Sequence, residues 1–157
     1  MKLLGIAALL FSGAGISFFL AREEDIKLLR TRAWLELVLL VRSSVESYSL
    51  SISKILSRCD SGLLLRLGYP EWRTAPQSLI EIADNVVIPD RESEEAVMSF
   101  LGDFGKNYRE YQVSRCDDCI RKLQERERLL SGQVLAKKKV IFAVSLCAVA
   151  ALVILLL

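Results

Sequence analysis

Val140 to Leu157 reads VIFAVSLCAVAALVILLL, 18 residues without a charge, and Leu3 to Ala21 reads LLGIAALLFSGAGISFFLA, 19 residues equally free of charge. Each approaches the roughly 20 residues that a helix needs to cross hydrocarbon. In lipid a lone spanning segment must satisfy all its backbone groups internally, so both stretches are expected to be helical. Between them lies every other feature of the chain. All 19 acidic residues and 20 of the 21 basic ones fall from Arg22 to Lys139, the exception being Lys2. Three regions follow: 1–21 and 140–157 as transmembrane helices, and 22–139 as a helical bundle domain.

Lys2 followed by an apolar run is also how a cleaved signal peptide begins. The run is longer than a usual signal core, and a cut after Ala21 would leave bulky Phe19 where a small residue is wanted, so an uncleaved anchor is expected. Basic residues near the membrane segments set orientation. Arg22, Lys27, Arg30 and Arg32 follow the first segment, and Arg121, Lys122, Arg126, Arg128 and Lys137 to Lys139 precede the second. This places 22–139 in the cytosol and both termini on the opposite side. The cluster Lys137 to Lys139 suits anionic lipid headgroups. Net charge over 22–139 is 20 minus 19, or +1, which gives no nucleic-acid-binding surface.

Inside the charged region the apolar residues keep helical spacing. Ile26, Leu29, Ala33, Leu37, Leu40 and Ser44 approximate a heptad line, and Ala33 to Val41 (AWLELVLLV) is apolar on more than one face, so it is expected to be enclosed by other helices. Six of the eleven residues from Ser43 to Ser53 are serine, which marks a turn. Short helices are expected from about Leu50 to Ser57 and from Asp60 to Leu67, the latter ended by Gly68. Thr74 and Gln77 have capping-box spacing, with Pro76 in the first turn of a helix running to Asn85. Asp90 is placed to cap the next helix, which turns Val97, Phe100, Leu101 and Phe104 inward and stops near Gly105. From Asn107 onward, positions 116, 120, 123, 127, 130 and 134 step by four and three, with Glu127 the one polar break. Continued to 157, this helix would measure about 75 Å. The fold expected is all-α: an antiparallel helical bundle in the cytosol whose first and last helices continue into two transmembrane helices.

Chemistry is sparse. The chain has no histidine, the commonest general base. Adjacent Asp117 and Asp118 point about 100° apart on a helix, unsuited to sharing a proton or metal, and fit a solvated face. Cys116-Asp-Asp-Cys119 is the one formal redox or metal motif, but it lacks the strand-to-helix setting of a thioredoxin-like site and two further zinc ligands. Gly102 and Gly105 match no phosphate loop. No catalytic residue, metal site or cofactor is expected. Small residues recur every four positions at Ala8 and Ser12, at Gly13 and Ser17, and at Ala143, Cys147 and Ala151, a spacing that lets membrane helices approach closely, either within the chain or between subunits.

Phe100 to Gln112 (FLGDFGKNYREYQ), with Cys116 four residues on, resembles the corresponding region of the stage III sporulation protein AB family of endospore-forming bacteria. The N-terminal apolar segment, Leu35 to Leu56, and the basic run before the C-terminal apolar tail follow that family's layout in order. Ser51 and Ser53 stand where the family often has a proline-containing helix start, Phe104 replaces a usual leucine, and about Gly62 to Ile88 carries no correspondence. The resemblance implies a cytosolic domain like the F-type platform proteins of type II secretion. It also implies a non-catalytic role in the channel complex joining mother cell and forespore, in the mother-cell (outer forespore) membrane. Its partners would be the stage III sporulation AA-type ATPase, other components of the complex and membrane lipids, and a homo-oligomer is compatible with it. The expected docking surface is the turn from Gly105 to Glu110, where Tyr108, Arg109 and Glu110 combine an aromatic anchor with both signs of charge. Two alternatives stand beside this reading: a structural anchor that touches no ATPase, and a redox or metal-dependent membrane protein using Cys116 and Cys119.

Overall fold

The structure, a computed structural model, describes the backbone of residues 2–48, 51–57, 59–70, 75–105 and 108–156, and of these the side chains apart from 2–17, 20, 48, 149 and 152–156. It is all-α, with no strand among the described residues. Among the described residues six helices follow in order: α1 Lys2–Tyr48, α2 Ile52–Leu56, α3 Ser61–Leu67, α4 Leu79–Asn85, α5 Arg91–Asp103 and α6 Arg109–Leu156.

The chain forms two compact units, one of Lys27–Leu129 and the other of Met1–Ile26 with Leu130–Leu157. In the Lys27–Leu129 unit one apolar cluster joins all six helices. It holds Ala33, Trp34, Leu37, Val38, Val41 and Val45 of α1, Ile55 and Leu56 of α2, Leu63 and Leu67 of α3, and Leu79, Ile82 and Ala83 of α4. Val97, Phe100 and Leu101 of α5 and Cys116, Cys119, Ile120 and Leu123 of α6 complete it. Helices as short as α2 to α4 are not stable alone, and their order comes from burying these side chains. Arg42 pairs with Asp117 at 2.5 Å and Arg32 with Glu127 at 2.7 Å, so partners descend α6 as they ascend α1.

Two local expectations need correction. Ile26 and Leu29 are exposed (37% and 45%), while Thr31, Trp34, Val38, Val41 and Val45 are buried beside Ala33 and Leu37. Spacing alone picked a heptad line. The enclosed face is the broader one carrying the bulky Trp34 and the valines. Helix α4, placed by sequence after Thr74, starts instead at Leu79. Thr74 lies outside the described residues, and Pro76 precedes the helix. Ser78 is the cap: its hydroxyl accepts from the Glu81 amide at 3.1 Å, and the Glu81 carboxylate accepts from the Gln77 amide at 2.9 Å. That is a reciprocal cap shifted four residues along.

Other ends follow their residues. Gly68 closes α3 with φ 92°, the left-handed conformation that only glycine adopts readily. Asp90 accepts from the Ser93 amide at the start of α5. On α6, Cys116, Ile120, Leu123, Leu130 and Val134 are buried, and the polar break Glu127 is the partner of Arg32.

In the other unit, Lys137 meets Glu24 at 3.0 Å and Lys138 meets Asp25 at 2.7 Å. Among the described residues no helix is long and apolar enough to cross a membrane. The side chains of 3–17 and 152–157, most of the first charge-free segment and part of the second, lie outside them. So do those of Ala8, Ser12, Gly13 and Ser17, while Ala143, Cys147 and Ala151 are exposed on α6.

Candidate functional site

The turn between α5 and α6 is built by strictly local devices. Helix α5 ends at Asp103, Phe104 turns to extended backbone, and Gly105 reverses the chain at φ 84°. A Cβ on Gly105 would meet nothing within 4 Å, so glycine is required there by conformation and not by space. Residues 106 and 107 lie outside the described residues. The Tyr108 carbonyl then accepts the Gln112 amide at 3.1 Å, opening α6, and Glu110 stands in the first turn where a negative charge complements the helix dipole.

Arg115 holds the turn from below. Its guanidinium pairs with Asp103, donates to the Ser99 hydroxyl at 3.3 Å, and lies over the Tyr111 ring at 5.9 Å. Phe100 and Phe104 pack their rings at 4.9 Å on the core side. A fixed base therefore carries an open tip. Tyr108 is 91% exposed, and Arg109 and Glu110 are exposed beside it. A large aromatic held in water has no folding reason to be there, and exposed Tyr and Arg are the residue types that anchor protein interfaces.

The structure adds a partner that sequence spacing did not provide. Tyr108, Arg109 and Glu110 line an open concavity of about 640 Å³ together with Val113 and with Glu46 at the far end of α1. Glu46 is itself held by Arg42 at 2.6 Å, and Arg42 bridges on to Asp117. The Asp117 hydrogen bond, then its charge, raises the Arg42 pKa above its ordinary value. The Arg42 and Glu46 spacing of four residues was visible in the sequence as a helical ion pair. Their position against the start of α6 was not.

The cysteine motif lies elsewhere and is closed. Cys116 and Cys119 are buried free thiols in the core cluster. Burial, then the charge of Asp117, pushes the Cys116 pKa up to about 11. Burial, then Cys116, pushes Cys119 up to about 12. Such thiols are protonated at neutral pH, the opposite of what nucleophilic or metal-binding cysteine needs. Asp117 is bound to Arg42 and Asp118 to Arg121 at 3.0 Å. Among the described residues no group of three or more Cys, Asp or Glu could hold a metal ion.

Compared with known proteins, the chain matches no family profile, no curated protein and no solved structure.

Proposed function

We propose that this protein is a non-catalytic membrane platform. In this reading 22–139 forms an antiparallel helical bundle in the cytosol, α1 and α6 continue into two transmembrane helices, and the Tyr108 surface docks a secretion-type ATPase of the channel complex joining mother cell and forespore. The observation that carries the membrane half is on α6. From Val140 to Ala148 no described side chain is charged and none is buried, and Val140, Phe142, Val144 and Leu146 are 61–72% exposed. A charge-free helix whose apolar side chains are mostly exposed, with only Ile141 and Ser145 half-buried on one face, matches hydrocarbon as its solvent. Both α1 and α6 are unbroken through the point where their charges stop.

The docking half is supported by the exposed Tyr108, Arg109 and Glu110 at the start of α6, together with the resemblance of Phe100 to Gln112 to the sporulation family. Co-purification of the full chain with a stage III sporulation AA-type ATPase, the partner the resemblance implies, tests this half. Arg109→Glu is expected to abolish capture while leaving the helical circular dichroism unchanged. Capture undiminished by Arg109→Glu and by Tyr108→Ala would place the docking surface elsewhere. No capture by the unaltered chain would favour an anchor that touches no ATPase.

A further inference from the structure

We propose that Arg22 and Lys139 bind the phosphate of anionic phospholipid headgroups, and that Lys137 and Lys138 do not. The inference rests on the membrane reading above and assigns its lipid contacts to particular side chains. Seven charges crowd the places where the two apolar segments begin: Arg22, Glu23, Glu24 and Asp25 on α1, and Lys137, Lys138 and Lys139 on α6. From sequence the three lysines look equivalent, but the structure separates them. Lys137 is paired with Glu24, whose side chain is only 13% exposed, and Lys138 with Asp25. Arg22 and Lys139 have no partner among the described residues, and both are exposed.

These two unpaired cations are also the outermost charges. Arg22 is the charge nearest the apolar segment of α1 and Lys139 the charge nearest that of α6; Lys139 directly follows the paired Lys138, and Glu23 separates Arg22 from the paired Glu24. Beyond the buried Ala21, Phe18 and Phe19 on α1 are apolar and 69% and 64% exposed, and on α6 Val140 and Phe142 are 61% and 63% exposed with Ile141 half-buried between them. A cation bordered by exposed apolar surface on one side and by a closed ion pair on the other fits the headgroup layer, where long basic side chains extend to phosphate. Among the described residues Glu23 is the carboxylate of this group without an ion pair, and it projects about 100° around α1 from Arg22. A guanidinium and an ammonium both suit phosphate, and a zwitterionic headgroup offers them less because its own cation competes.

The test reconstitutes the full chain into vesicles of phosphatidylcholine with and without phosphatidylglycerol. Lipid retained after gentle detergent extraction is then counted by native mass spectrometry. The unaltered chain is expected to retain phosphatidylglycerol over phosphatidylcholine. Arg22→Gln with Lys139→Gln is expected to lower that preference about thirtyfold, while Arg121→Gln with Arg128→Gln, the same loss of charge elsewhere, leaves it unchanged. Equal retention by both double variants overturns the assignment, as does displacement of the lipid by soluble glycerol phosphate. A chain that alkaline carbonate strips from both kinds of vesicle overturns the membrane reading itself. Stable insertion without lipid preference overturns only this inference.

Discussion

Asp90 shows how much one side chain does in this fold. Its Oδ1 accepts from the Ser93 amide at 3.2 Å and from Arg126 at 2.9 Å, and its Oδ2 accepts from the Ser93 hydroxyl at 2.8 Å. It thus caps α5 and ties that cap to α6, and with side chains 16% and 19% exposed the pair is poorly screened. Loss of a cap costs about 1 kcal/mol, and loss of a charged hydrogen bond adds about 1.5 kcal/mol or more. Asp90→Ala is therefore expected to destabilise the protein by about 2 to 3 kcal/mol in detergent-solubilised urea unfolding. Asp90→Asn, which still caps, is expected to cost about half as much. The buried thiols give a pH prediction at the same scale. Their folded pKa values of about 11 and 12 lie above the ordinary 9.0, so the folded state holds these protons more tightly. Their contribution to stability is complete below pH 9 and is lost as pH rises through 9 toward 11 and 12. Melting temperature should fall less steeply from pH 8.5 to 10.5 in a Cys116→Ala, Cys119→Ala variant than in the native chain.

At the scale of elements, α6 separates its faces clearly. Leu123 is fully buried and Leu129 is 49% exposed, six residues apart on one helix. Leu123→Ala is expected to cost about 2 to 5 kcal/mol and Leu129→Ala less than about 0.5 kcal/mol, read from the same urea transitions. Comparable losses at both positions would mean that the α6 face is misassigned. Elements whose signals are local were legible in the sequence: Gly68 ends α3, Asp90 starts α5, and Gly105 breaks α5 from α6. Helix α4 was misplaced because Thr74 and Pro76 form a good start signal, and only the structure shows that Ser78 and Glu81 compete successfully for it. The buried stripe of α1 was misread because spacing carries no information about side-chain volume or about which neighbours close over Trp34. The break at Gly105 was legible for the same reason that α5 was, whereas Glu46 joins the concavity beside Tyr108 from some sixty residues away in sequence, a distance no local pattern crosses.

For the whole molecule the central claim is the partition of the chain by solvent: a charged, packed region in water between two helices that leave it for lipid. The proposed partition predicts more than insertion, because basic residues beside both apolar segments would favour a cytosolic side for 22–139. Fusions of a two-colour topology reporter at Leu157 and within residues 85–92, expressed in the intact chain, read that side directly. The account predicts cytosolic signal from the 85–92 fusion and the opposite compartment at Leu157. A Leu157 fusion reporting from the cytosol, or residues 85–92 reporting from outside it, would contradict the account.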